Sequence, residues 1–143
     1  MSHMDLEQAK QRLASGEYTC VLCREGETVT STQRGVRPLV RWLTEGTDLR
    51  GFSAADKVVG KATAFLYCLL GVKAVYARVM SKSARQVLLD SGIHAEQETL
   101  VEYIINRAGD GYCPFETAVL EISDPSKALS AIRAKMQEMN ITL

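Results

Sequence analysis

The stretch Ser53-Ala-Ala-Asp-Lys-Val-Val-Gly-Lys61, continuing to Gly71 and followed at once by Val72-Lys-Ala-Val-Tyr-Ala-Arg-Val-Met80, decides the fold. Its first part reads as the start of the longest helix, running from Ser53 to about Leu70 and closed by Gly71. Ser53 caps that helix, and Asp56, three residues later, completes a capping-box-like pair. Val58, Val59, Ala62, Phe65, Leu66 and Leu69 form its core side. Val72 to Met80 is almost continuously apolar, broken only by Lys73 and Arg78. That pattern describes a central strand covered on both faces, as in a parallel sheet.

Working outward, Tyr18–Cys23 and Thr28–Thr32 are β-rich runs around the turn Arg24-Glu-Gly-Glu27, which makes a hairpin. Asp5–Ala14 reads as a short polar helix. Val36–Thr44 has helical spacing, with Pro38 in its first turn and Gly46 at its end. On the other side, Ser81 starts a helix that Gly92 stops, and Ile93–Glu98 is a weak strand. Leu100–Ile105 is a short apolar run, and Asn106–Gly111 is a loop. Helices start at Cys113-Pro114 and at Asp124-Pro125, the last with Leu129, Ile132, Met136 and Met139 as its core side. Alternating strands and helices imply a mixed sheet sandwiched by helices.

The chain has 143 residues, the size of one ordinary domain. With 46% hydrophobic and 24% charged residues it can build a core and carries no disorder signature. A formal net charge of zero argues against a general nucleic-acid binder. No apolar run reaches the roughly 18 residues of a membrane span. Four cysteines in a domain of this size fit reduced thiols and a cytoplasmic location. The leading Met-Ser-His-Met reads as a vector remnant, which leaves residues 5–143 as one domain and removes His3 from any site.

The Ser53–Lys61 patch carries more than a cap. On a helix, Asp56 and Gly60 stack on one face, and Lys57 and Lys61 on the next. A glycine inside a helix costs about 1 kcal/mol against alanine, so close approach of a ligand or backbone is the expected reason for it. Free amides at a helix start, beside two lysines, suit an anion. A solvated charged face with a tight helix crossing explains the same residues without a ligand. The P-loop spacing is absent.

A second stretch runs Asn106-Arg-Ala-Gly-Asp-Gly-Tyr-Cys-Pro-Phe-Glu116. Cys113 falls at an N-cap, Pro114 at the first helical position and Glu116 at the third. Amides at a helix start favour a thiolate, so Cys113 is the cysteine with a reactive-looking address. A small residue in a tight turn is the bland alternative. Asn106 and Arg107 follow a likely sheet element, where α/β folds place ligand contacts.

Two motifs are set aside. Cys20 and Cys23 lie three apart on a strand, hence on opposite faces, and have no second pair to complete a zinc set. His94-Ala-Glu96 is half of the zinc deaminase signature, but Pro-Cys-x-x-Cys is absent and Cys113-Pro114 reverses its order. No metal and no cofactor are implied.

Gly35-Val-Arg-Pro-Leu39, Ala55-Asp-Lys-Val-Val-Gly-Lys-Ala62, Tyr76-Ala77, Ile105-Asn-Arg107 and Gly111-Tyr-Cys-Pro-Phe-Glu116 resemble a small family of mostly bacterial and archaeal proteins, catalogued as a domain of unknown function. That family has a cytidine deaminase-like fold. The resemblance spans about Tyr18 to Glu121. It implies a three-layer α/β/α sandwich with a mixed sheet. It also implies that the helix starting at Ser53 stands where deaminases put their first zinc ligand and catalytic glutamate, and the helix at Ser81 where they put the Pro-Cys-x-x-Cys ligands. Neither set is present, so a zinc-dependent deaminase is not expected.

Three functions remain. The first is binding of a small anionic or nucleotide-like ligand in a zinc-free pocket, using Ser53, Asp56, Lys57, Gly60, Lys61, Asn106 and Arg107. The second is a thiol-dependent transferase with Cys113 as nucleophile and Glu116 or Asp110 handling the proton. The third is a non-catalytic homodimer anchored by Trp42, Tyr67 or Tyr112.

Overall fold

The computed structural model describes residues 2–105, 109 and 111–143, except for the side chains of residues 2 and 3. Asn106, Arg107 and Asp110 therefore lie outside the described residues. The elements are α1 (Ser2–Ser15), β1 (Cys20–Arg24), β2 (Glu27–Ser31), α2 (Arg37–Glu45), β3 (Ser53–Val59), α3 (Lys61–Leu70), β4 (Ala74–Ser81), α4 (Lys82–Asp90), β5 (His94–Val101), α5 (Pro114–Ala118) and α6 (Pro125–Glu138).

The strands form one mixed sheet in the order β2-β1-β3-β4-β5. β1 is antiparallel to both β2 and β3, while β3, β4 and β5 run parallel. The expected hairpin and the expected central parallel strand both stand. Val75 and Ala77 of β4 turn to one face and Ala74 and Tyr76 to the other, and all are buried. Each parallel step needs a crossover, and helices α3 and α4 supply the two.

The Ser53 helix is the main correction. Residues 53–59 are a strand, and the helix begins only at Lys61, after Gly60. Ser53 and Asp56 thus form no capping box, and the two stacked pairs, Asp56 with Gly60 and Lys57 with Lys61, do not exist. The cause is tertiary. This segment lies between β1 and β4 and is hydrogen-bonded to both, and Ala54 and Ala55 are small enough for cover on each face. Ala54 belongs to the large core beneath α2, α3, α4 and α6, and Ala55 to a smaller one beneath α1. A strand buried on both sides loses the period-2 signal that separates it from a helix. Val58, expected in the core, is 45% exposed, because the alternation slips after Asp56 and Val59 takes the inward place.

Cys20 and Cys23 sit in different cores, on opposite faces of the sheet as expected. α1 is amphipathic, burying Leu6, Ala9 and Leu13. Trp42 and Tyr67 are core residues, so neither is an exposed anchor. Met139, expected in the core, is 42% exposed. No helix among the described residues is long and apolar enough to cross a membrane.

Candidate functional site

Register shows which groups share one edge of the sheet. Ser31 of β2 stands level with Cys20, Cys20 with Asp56, and Asp56 with Ala77. β2 runs in the same sense as β3 and β4, so α2, α3 and α4 all start beyond this one edge. In open α/β sheets ligands bind outside the carboxyl ends of the strands, at such an edge.

The start of α3 is the most structured point there. Gly60 is its N-cap, with extended backbone at φ −95° and ψ −179° that any residue adopts. Conformation therefore does not require glycine, but space does. A Cβ on Gly60 would lie 2.7 Å from the carboxyl carbon of Glu116. Glu116 accepts a hydrogen bond from the Ala62 amide at 3.2 Å. Close approach was the expected reason for this glycine, and the approaching group is the chain's own carboxylate. Burial raises the Glu116 proton affinity, while the Ala62 and Lys61 amides, the Lys61 charge and the Ser81 hydroxyl oppose the rise. Ser81 is the buried N-cap of α4, accepting from the Ala84 amide at 3.2 Å. Glu116 thus bonds to the start of α3 and lies within electrostatic reach of the cap of α4. Its side chain closes the position where the free amides of α3 would meet a ligand.

Lys61 is largely committed. Its ammonium donates to the Leu120 carbonyl at 2.9 Å and lies 5.7 Å from the centre of the Phe65 ring. Lys57 is half-buried on β3. Cys113 is the N-cap of α5, but its thiol makes no capping bond; its carbonyl accepts the first helical bond, from the Thr117 amide.

Asp56 and Ser53 lie apart from this rim. Asp56 is buried beneath α3 and accepts from the Tyr67 hydroxyl at 2.7 Å. Burial raises its pKa to about 6, against the pull of Tyr67 and of the Val58 and Lys57 amides. Burial likewise pushes the Tyr67 hydroxyl well above its ordinary range, and the Cys20 thiol beside it too. Ser53, at the far end of β3, is fully buried, and its hydroxyl has no partner among the described residues. Of the expected ligand-binding residues, the structure brings Gly60 and Lys61 together with Glu116. It leaves Asp56 in the core and Ser53 at the opposite edge.

Sequence reasoning missed Ser81 as a partner of this rim and Tyr67 as the partner of Asp56. A capping serine directly after the apolar run that ends at Met80 was a usable signal for Ser81. Nothing local announces the Asp56–Tyr67 bond, which crosses from strand to helix. No group of three or more His, Cys, Asp or Glu side chains suited to a metal occurs among the described residues. His94 pairs with Glu96 at 3.1 Å on the outer strand β5.

The fold and this rim define an α/β/α domain on a mixed five-stranded sheet, with three helix starts gathered at one edge. The chain belongs to the TM1506 family, a domain of unknown function (DUF1893), which it matches over residues 8–136. It is similar to the DUF1893 family protein TM1506 from Thermotoga maritima, at 24% identity and a TM-score of 0.85, over 94% of this chain and 92% of that one. Similarity to an apo dCMP deaminase from the cyanophage S-TIM5 is weak, at 15% identity and a TM-score of 0.44, over 67% of this chain and 95% of that one. No curated protein matches the chain.

Proposed function

We propose that this domain binds a small anionic or nucleotide-like ligand at the edge where α3 and α4 begin, and that acceptor oxygens of the ligand take the place of the Glu116 carboxylate. One observation carries the reading: a carboxylate already sits on the Ala62 amide at 3.2 Å, over a glycine with no room for a Cβ. The start of α3 is therefore shaped to receive anionic oxygen. The occupant comes from the short helix α5, which buries no residue fully. That helix is held less firmly than the core, and its carboxylate is displaceable.

Calorimetry on the wild type and Glu116→Ala, with a panel of nucleoside monophosphates, sugar phosphates and small carboxylates, tests this. Removing the internal competitor is expected to tighten binding of at least one member tenfold or more. If no member binds either protein at millimolar concentration, the proposal is wrong.

A second reading is self-association. Tyr103, Ile105 and Tyr112 are all more than half exposed, Ile105 pairs with Tyr112 in an antiparallel bridge, and the Tyr103 and Tyr112 ring centres lie 4.8 Å apart. An apolar patch of this kind suits a second copy of the chain. Light scattering of the wild type and Tyr112→Lys tests it: a wild type that is monomeric at 100-fold dilution steps up to about millimolar would sink this reading.

A further inference from the structure

The cations at the ligand edge are unevenly used. Lys61 is bound to a carbonyl and Lys82 is paired with Glu102. Arg34, Arg37 and Arg41 are not: among the described residues none of the three has a hydrogen bond or an ion pair. Arg37 and Arg41 lie four apart on α2 and share its outer face, while Pro38, Leu39, Val40 and Trp42 form the buried one. Both arginines are half-buried. Arg34 is exposed. A guanidinium has five donors and keeps its charge, and the donors of these three are left to solvent or to a ligand. The first turn of α2 also holds no acidic residue, and its cap makes no side-chain hydrogen bond. A cation at that end of a helix meets the positive end of the dipole and would be relieved by an anion. The chain as a whole has as many acids as bases, 17 of each, so a local shortage of acids here is a property of the place.

The place is the ligand edge itself. β2 ends level with Asp56 of β3, and residues 32–36 then carry Arg34 over the edge into α2. Helix α2 packs directly on α3. Arg34 and Arg37 therefore stand at the same sheet edge as the start of α3, on the side of α2, while Ser81 and α4 stand on the other side.

We propose that Arg34 and Arg37, with Arg41 one turn further along, hold a phosphoryl group of the ligand, so that the ligand class is a phosphorylated small molecule. This rests on the reading of the α3 start given above. The remaining polar end of the ligand reaches the amides that Glu116 occupies. Planar guanidinium forks match phosphate oxygens two at a time, which a lysine cannot do. A small phosphate ester also suits a domain with no overall positive charge better than a nucleic-acid backbone does.

The test compares the four ribonucleoside 5′-monophosphates and ribose 5-phosphate with their unphosphorylated parents by calorimetry. For at least one pair the phosphorylated member is expected to bind the wild type tenfold or more tightly than its parent. In Arg34→Ala/Arg37→Ala that advantage is expected to vanish while the parent's own affinity stays. Arg34→Lys/Arg37→Lys is expected to restore part of it, with a steeper loss in salt. An advantage that survives the double alanine variant, or no advantage in the wild type, overturns the proposal. Inorganic pyrophosphate, followed by NMR at the Arg34 and Arg37 Nε–H signals, separates the two readings. Shifts there, with no panel member bound by the wild type or Glu116→Ala, would overturn the α3 reading and leave an arginine phosphate site. No shift there would overturn the arginine site, even if Glu116→Ala gains affinity.

Discussion

Asp56, buried, and Glu116, partly buried, are two carboxylates of one fold, and loss of solvent makes both hold their protons more tightly than usual. Their surroundings differ. Asp56 is locked between a strand and the Tyr67 hydroxyl, under a helix that covers it. Glu116 comes from a one-turn helix and rests on an amide at the rim of the sheet. The first has a partner from the core, the Tyr67 hydroxyl. The second occupies a place that another anion could take. A raised carboxylate is thus no mark of a site by itself. What distinguishes the two is whether the partner is a committed side chain or a helix start open to exchange.

The largest test of this contrast is Asp56→Asn. Folded Asp56 keeps its proton to about pH 6, against 3.8 for the ordinary group. Between those values the folded chain binds more protons than the unfolded one, so stability falls as pH rises through the window. Two pK units correspond to about 3 kcal/mol lost by pH 7. Urea melts at pH 4.5 and 7.5, which span the upper part of the window, are expected to show about 2 kcal/mol of this loss in the wild type and little of it in Asp56→Asn. Equal pH slopes in the two proteins would contradict the locked, buried state of Asp56.

Gly60→Ala comes next. Its Cβ displaces the Glu116 carboxylate and breaks the bond to Ala62, at a cost of about 1–2 kcal/mol. In a Glu116→Ala background the same change is expected to cost almost nothing, and the double-mutant cycle measures the coupling. An equal cost in both backgrounds would mean that Glu116 is not what the glycine accommodates.

Glu116→Gln sharpens the contrast through pH. Protonation removes the charge with which Glu116 competes for the α3 amides. Anion affinity of the wild type is therefore expected to rise as the pH falls from 7 through the range where Glu116 takes its proton, beyond any change that Glu116→Gln shows with the same ligand. Isothermal titrations across that range decide it, and an identical pH dependence would remove Glu116 from the competition.

The smallest expected effect is at Ser53. Its buried hydroxyl has no partner among the described residues, and an unmatched polar group costs about 1 kcal/mol or more. Ser53→Ala is expected to raise stability by about that amount, read as a higher denaturant midpoint at unchanged slope. A destabilised variant would show that Ser53 has a hydrogen-bonding role.

Much of this fold was legible along the chain. The Cys20–Arg24 and Glu27–Ser31 hairpin, the central strand near Val75, the Ser81 and Asp124 helix starts and the opposite-facing cysteines follow from periodicity and turn chemistry. The site was legible in part. Gly60, Lys61 and Glu116 were each singled out, in two separate stretches, but nothing local showed that the second stretch fills the first. Asp56 was singled out for the wrong reason, because a helix was read where a strand stands.

The sequence by itself determined an α/β chain of alternating strands and helices, because apolar spacing and turn residues act over a few positions. Only the tertiary structure decided that Ser53–Val59 is a strand. Its alanines and valines suit either form, and the choice came from ladder bonds to β1 and β4 with helices on both faces. It also decided that Glu116 lies over Gly60, 56 residues away in sequence, since only the packing of α5 against α3 brings them together.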